Sequence, residues 1–321
     1  MKPLIFFKKK KFITIDKFFP HFKFSKKDKI IDIKPLKKSG KNDLTFFDSI
    51  KYKESASTTK SLYCITTTKL EKFLPKNTKK IIVKNVLFEL ANALKKLYPD
   101  ADIDYPDTSL KLYSKYKYKA VKFCNNALIG KNVKIGQNTI IGTNSIIEHD
   151  VVIGENCVLG SNVIIKNAII GNNVVIQDNS KIGQKGFGFI PIKGKNIKFP
   201  HIGKVVILDN VEIASGCTID RGSIDDTVIG ENSYLDNQVH IAHNVKIGEN
   251  TIIAGQVGIA GSSIIGSCVR IGGQAGISGH LKVGDNVDIA GGSGVIKDIP
   301  NNTKVMGYPA KNIRKFLKEN K

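Results

Sequence analysis

The chain is short of several things at once. No stretch approaches the roughly 18 apolar residues of a membrane-spanning helix. The opening MKPLIFFKKKKF has only four consecutive apolar residues before its lysines, fewer than the roughly 7 to 15 of a signal-peptide core. Both absences lead us to expect a cytoplasmic protein. The five cysteines, Cys64, Cys124, Cys157, Cys217 and Cys268, are odd in number, scattered and never in a CxxC pair, which fits a reducing compartment and argues against a zinc ribbon. Arginine is absent before Arg221, and acids are scarce, with 28 Asp and Glu against 50 Lys and Arg for a formal charge of +22. Residues 1 to 119 carry 29 basic and 12 acidic side chains, a net of +17, whereas residues 120 to 321 carry 21 and 16, a net of +5. Anionic lipid, phosphate or an acidic protein would answer to that sign; a lysine-biased composition produces it with no partner at all. No nucleic-acid-binding motif accompanies the charge.

What is abundant is a repeat. Branched aliphatic residues recur every six positions at Ile229, Leu235, Ile241, Ile247, Ile253, Ile259, Ile265, Ile271, Ile277, Val283, Ile289 and Val295. A six-residue unit is the signature of a parallel β-helix: period two makes a strand, and a bend every six residues coils the chain into a three-sided prism with each aliphatic side chain on the axis. Three units make a coil of eighteen residues, stacked at about 4.8 Å. An α-helix does not fit, because six is not a multiple of 3.6. The same period runs through Ile129, Ile135, Ile141, Ile147, Ile153, Leu159 and Ile165, so the prism is expected to start near Leu128. Ile170 follows Ile165 by five residues, and one corner must absorb that deletion. Between residues 184 and 201 the period fails, and a loop is expected there; structureless loops of that length are uncommon and often functional. Cys157 and Cys217 fall in the repeat as small wall residues.

The region before the repeat mixes elements. Leu87, Leu90, Leu94 and Leu97 lie at helical spacing between Asn85 and Tyr98, ahead of Pro99. The β-rich runs SLYCITTT and KKIIVKN precede them, predicting a small α/β domain. The expected organisation is an α/β domain with its connector over 1–119, a parallel β-helix over 120–300 interrupted at 184–201, and a basic helical tail over 301–321.

His243 lies two residues after an axis position, at a corner where side chains project outward, and Gly261 lies eighteen residues later, one rung above it. A base beside a backbone N–H suits acyl transfer, since one group removes a proton from the attacking amine and the other donates to the oxyanion. A corner histidine with no such role would be a plain surface residue. Asp236 stands seven residues before His243, and His280 falls 37 residues after it, some 10 Å up the same edge by the rung spacing. That distance is too far for a dyad but suits the far end of an extended substrate.

Four segments carry a family resemblance: GFGF (Gly186 to Phe189), CTIDRG (Cys217 to Gly222), LDNQVHIAHNVKIG (Leu235 to Gly248) and ISGH (Ile277 to His280). With DLTFFDSIKY (Asp43 to Tyr52), they resemble the UDP-3-O-(3-hydroxyacyl)glucosamine N-acyltransferases of lipid A biosynthesis. The resemblance implies a mainly β fold, namely a left-handed parallel β-helix with a small N-terminal α/β domain and a short C-terminal helix, assembled as a homotrimer with active sites between subunits. It implies that His243 is the general base for attack of a glucosamine 2-amine on an acyl carrier protein thioester, with no cofactor, no metal and no covalent acyl-enzyme. Asp236 would orient or charge-tune His243, Gly261 N–H would serve the oxyanion, and His280 would contact the donor or the nucleotide end. Phe46 and Tyr52 match uracil-flanking positions, and Ser49 stands where the family commonly has Asn; ordinary core packing of a small domain is the alternative for these residues. Arg314, Lys315 and Lys318 lie on the expected tail helix, a dock for acidic acyl carrier protein or a solvated cap. The glycine-rich AGGSG (Ala290 to Gly294) offers little side-chain bulk, room for a long acyl chain. A basic N-terminal face would also suit contact with a membrane surface.

Three rival readings remain. The sister UDP-N-acetylglucosamine O-acyltransferase shares the scaffold, but the resemblance has it beginning directly with repeats. A γ-carbonic anhydrase-like metalloenzyme would use His240, His243 and His280, yet His240 immediately precedes Ile241 and should not share the corner of His243. A binding or scaffold protein would be indifferent to His243.

Overall fold

The structure, a computed structural model, describes residues 6–24, 27–113, 118 and 120–307. From Lys122 to Val305 the chain is a three-sided solenoid, its mostly two-residue strands stacking in register into three sheets of eight, ten and nine strands among the described residues, the last extended by Lys111–Leu112 running antiparallel. Pairing joins residues eighteen apart where the period is regular, as in Ile146 with Ile164 and Ile241 with Ile259. The backbone bonds follow, for example Ile140 N–H to the Cys157 carbonyl at 2.8 Å. Axis residues from Ile141 onward are buried, each removal of such a side chain from water contributing about 1.5–3 kcal/mol. The solenoid starts one hexapeptide before Leu128: Lys122–Phe123 pairs with Ile140–Ile141. An aromatic fills that axis position, Phe123 stacking on Tyr113 with centroids 4.3 Å apart, so a search for aliphatic residues passes it by.

Corners obey a second rule. The second residue of each turn sits in the left-handed region, where Asn is the commonest occupant, as in Asn126, Asn144, Asn232 and Asn250; Asn and Asp tolerate that conformation better than other side-chain-bearing residues. Their carboxamides bond from rung to rung, Asn138 Nδ2 donating to Asn156 Oδ1 at 3.2 Å and Gln274 to Gln256 at 2.9 Å. Small polar residues beneath the corners staple the rungs: the hydroxyls of Ser145, Ser233 and Thr251 donate to the carbonyls of Gly160, Gly248 and Gly266. Cys157 and Cys217 occupy the same position, their thiols donating to Gly171 and Asp236 carbonyls.

Burial raises the pKa of both of these thiols, and that of Cys64 to about 12, whereas Cys124 and Cys268 are exposed. Alkylation needs thiolate and access. Iodoacetamide at about pH 8 is therefore expected to modify Cys124 and Cys268 first, read by peptide mass spectrometry. Equally fast labelling of Cys157 would mean that the rungs open in solution.

A separate compact unit comprises the chain up to Pro106 together with Lys185–Gly203 and Gly222–Asp225. Its strands Asp32–Ile33, Asp43–Phe47, Tyr63–Thr66 and Lys79–Ile82 form a parallel sheet in chain order. The helix Val86–Leu97 packs against it, capped at its start by Asn85, whose side chain accepts from Phe88 N–H at 3.0 Å. Leu90, Leu94 and Leu97 are buried as their spacing predicts, but Leu87 is exposed and Val86 takes its place. The expected loop over 184–201 contains a β-hairpin instead, Phe189–Ile192 pairing antiparallel with Lys195–Lys198. Phe199, Ile202 and Ile224 pack on this unit's core, a long-range anchor that local composition does not reveal.

Candidate functional site

Every irregularity of the solenoid falls on one edge, the corner that follows the strands Ile146–Ile147, Ile164–Ile165, Lys181–Lys185, Thr218–Arg221 and His240–Ile241. The deletion is absorbed at Asn167, the hairpin leaves after Gln184 and returns at Lys204, and Gly222–Asp225 is a second excursion. Further along the same edge stand His243, Gly261 and His280. A corner with its side chains outside the packed axis accepts insertions at little cost, which is why the edge that varies is also the edge that can carry chemistry.

His243 occupies the first position of its turn, half-buried, with Asn244 in the left-handed position beside it. The ring Nδ1 lies 3.0 Å from Asn244 Oδ1. A carboxamide oxygen only accepts, so the tautomer that makes this bond has Nδ1 as its donor. Asn244 N–H donates to the Thr227 hydroxyl at 2.9 Å, whereas the next two corners use carbonyls, Ser262 N–H donating to His243 O and His280 N–H to Gly261 O. Thr227 is fully buried and supplies an acceptor where the Gly222–Asp225 excursion interrupts the ladder.

Gly261 lies directly over the imidazole. A Cβ there would sit 2.7 Å from His243 Cε1 and 2.8 Å from Nε2, so the ring occupies space that only glycine leaves free. Among the described residues the Gly261 N–H has no acceptor. His280 is on the same edge two rungs above His243 and is exposed, with φ 60°.

Asp236 is not brought to His243 within one chain. Its carboxylate accepts from Asn237 Nδ2 at 2.8 Å and lies beside Gly255, at the corner before the strand His240–Ile241. The two side chains thus stand at opposite ends of one side of the prism, about six residues at roughly 3.3 Å each. Asn244 is the orienting partner that sequence reasoning misses, and its signal is available: Asn follows His243 in the turn position that recurs through the repeat. His240 stands on the flat side, bonded to Thr218 Oγ1 at 2.7 Å, with burial lowering its pKa. Among the described residues no three His, Cys, Asp or Glu side chains converge as metal ligands.

In the other unit, Ser49 and the short turn Ile50–Tyr52 follow the C-terminal end of the strand Asp43–Phe47, the end at which open parallel sheets bind ligands. Tyr52 is 41% exposed, its phenol pKa raised by partial burial and then by the Asp48 carboxylate. The Ser49 carbonyl accepts from Tyr52 N–H at 3.0 Å. Phe46 is half-buried and packs on the core. Arg314, Lys315 and Lys318 lie outside the described residues.

The three-sided solenoid is the fold of the hexapeptide transferases, and the model of the bacterial transferase hexapeptide repeat matches residues 132–167, 150–184 and 226–261. Among solved structures, the UDP-N-acetylglucosamine acyltransferase of Francisella novicida is similar at 31% identity with a TM-score of 0.53, over 62% of this chain and 73% of that one. The enzyme of the same description from Campylobacter jejuni is similar at 28% identity with a TM-score of 0.50, over 56% and 68%. Residues 29–96 match the family model for UDP-3-O-(3-hydroxymyristoyl) glucosamine N-acyltransferase, LpxD. UDP-3-O-acylglucosamine N-acyltransferases of Leptospira biflexa serovar Patoc and Rhizobium rhizogenes are 54% and 55% identical over 68 and 69 residues, or 21% and 22% of this chain. Each matched stretch spans 19% of the curated relative's length. The chain belongs to the hexapeptide-repeat acyltransferases, and within that class its residues 29–96 are similar to the UDP-3-O-acylglucosamine N-acyltransferases.

Proposed function

We propose that the chain transfers a (3R)-3-hydroxyacyl group from acyl carrier protein to the 2-amine of UDP-3-O-acylglucosamine in lipid A biosynthesis, in the cytoplasm. The observation that carries the reading is the His243 ring lying against the Gly261 backbone with its Nδ1 held by Asn244. That arrangement leaves Nε2 as a base. As the amine nitrogen attacks the thioester carbon, Nε2 takes the amine proton while Gly261 N–H donates to the oxyanion. The tetrahedral centre collapses, the C–S bond breaks, and the imidazolium returns the proton to the departing sulfur. No covalent acyl-enzyme forms. Any tuning by Asp236 has to come from the Asp236 of a second copy, which agrees with a trimer. The same assembly would cover Val158, Tyr234 and Ile252, outward apolar residues on one flat side.

The nucleotide would lie by Ser49 and Tyr52, with Phe46 backing the site from the core, and His280 would meet the donor or the nucleotide end. Gly258, Gly276 and Gly294 pair in successive rungs beside His240, and a Cβ at any of them meets nothing within 4 Å. We read this strip as the path of the acyl chain. Gly276→Leu is then expected to shift donor preference toward shorter acyl chains, measured by competition between donors of two lengths; unchanged preference sinks that placement. Arg314, Lys315 and Lys318 would dock acyl carrier protein.

The test supplies 3-hydroxyacyl-acyl carrier protein with either UDP-3-O-acylglucosamine or UDP-N-acetylglucosamine and identifies the product bond. An amide on the first substrate is expected. An ester on the second would assign the chain to the activity named for its solved neighbours, and no turnover on either would remove acyl transfer.

A further inference from the structure

The hairpin unit carries an exposed feature to which the proposed acyl transfer assigns no role. Phe187 is 84% exposed, the most exposed large apolar side chain among the described residues, and Phe189 beside it is 43% exposed with ring centroids 4.9 Å apart. Water-facing aromatic pairs are costly to keep, and hydrophobic patches rimmed by polar groups mark interaction surfaces. The charges of the hairpin segment itself are of one sign. Residues 185–203 contain Lys185, Lys193, Lys195 and Lys198 and no Asp or Glu. Lys185 Nζ lies 5.8 Å from the centre of the Phe189 ring, and the other three lysines are exposed.

The pair is held out rigidly. Ile190 is buried on the opposite face of the hairpin, Phe199 N–H donates to Gly188 O at 2.9 Å, and Lys185 N–H donates to Asp104 Oδ2 at 3.1 Å. A Cβ on Gly188 would lie 2.5 Å from the buried His201 ring, so the segment between the two phenylalanines is pressed against its own unit. The rings cannot turn inward without breaking that packing. The whole unit, counted as the chain to Pro106 with both excursions, holds 29 Lys and Arg against 12 Asp and Glu, a net of +17.

We infer that Phe187 and Phe189 form the insertion point of an anionic-membrane docking surface, with the hairpin lysines lying against lipid phosphates. Charge complementarity favours lipid as the occupant. A lysine-rimmed aromatic tip is what interfacial binding requires: rings entering the headgroup boundary and cations held at its surface. The inference does not depend on the acyl-transfer reading and is read without turnover.

The chain contains no tryptophan, so Phe187→Trp in the full chain places a single indole at the tip. On addition of mixed phosphatidylglycerol and phosphatidylcholine vesicles its emission is expected to move to shorter wavelength and to be quenched by lipids brominated on the acyl chain. Phosphatidylcholine vesicles alone should give little change. In co-sedimentation, Phe187→Ser with Phe189→Ser should weaken binding by at least about tenfold for the pair, from the burial of two rings. Lys193→Gln with Lys195→Gln and Lys198→Gln should flatten the salt dependence. Thermal melting checks that each variant is folded. Three outcomes overturn the inference: no binding to the anionic vesicles, binding that leaves the introduced indole unshifted and unquenched, or an emission shift that follows protein concentration without lipid. The last would assign the tip to a second copy of the chain.

Discussion

Replacing His243 by alanine is expected to lower kcat for N-acylation by a factor of about 10²–10⁴, the usual contribution of a positioned general base, with KM for both substrates little changed. On the proposed mechanism the ring takes the reacting proton and does not meet the nucleotide end, so the loss belongs to the chemical step. The thermal midpoint should move only slightly, because His243 lies at a corner outside the packed axis. Steady-state rates across pH supply the second readout: any acid limb of the wild-type profile that belongs to this ring should vanish in the variant. Turnover within a few-fold of wild type would remove His243 as base and favour the binding-protein reading. Asn244→Ala is the milder companion. It frees the Nδ1 position fixed at 3.0 Å, and its defect should be smaller than that of His243→Ala.

Gly261→Ala is the second large effect. The Gly261 backbone lies outside the left-handed region, so alanine is free of backbone strain there; the difficulty is the His243 ring, 2.7 to 3.1 Å from the new methyl at Cε1, Nε2 and Nδ1. Real Cβ atoms do not approach that closely, so the imidazole must swing away from the N–H that would serve the oxyanion. Both contributions of the proposed mechanism are disturbed together, and kcat should fall by roughly a hundredfold or more, with a melting shift of only a few degrees. Gly258→Ala is the control for adding a methyl to the neighbouring strip: nothing lies within 4 Å of its Cβ, and a strand glycine replaced by alanine gains up to about 1 kcal/mol of stability. If Gly261→Ala keeps full turnover, the imidazole does not work against this backbone.

Much of this architecture is legible in advance because the period of six is stiff. Ile141, Leu159 and Ile259 are buried where the period puts them, and the five-residue step from Ile165 to Ile170 is a shortened corner at Asn167. The corner of His243, the rung of Gly261 over its ring and the edge of His280 follow from the same arithmetic. Where the period breaks, local reasoning has less to hold. Residues 184–201 read as a loop because the apolar residues that anchor the hairpin, Phe199 and Ile202, pack against strands far earlier in the chain. Phe123 escapes the pattern because it is aromatic in an aliphatic column. Helical spacing alone puts Leu87 on the buried face, but Val86, one residue earlier, competes for the same burial and wins.

The coil itself is written in the repeat: six residues per side, aliphatic side chains on the axis and Asn in the corner, since a pattern that strict allows one packing of its apolar column. The residue types that stand near His243 follow from it as well. Three-dimensional contacts settle the rest, namely that Asn244 holds the ring, that Asp236 belongs to another corner, and that the hairpin carries Phe187 and Phe189 into solvent. Those outcomes depend on which side chains meet across the corners and excursions, where insertions replace the repeat and long-range contacts replace the period as the ordering force.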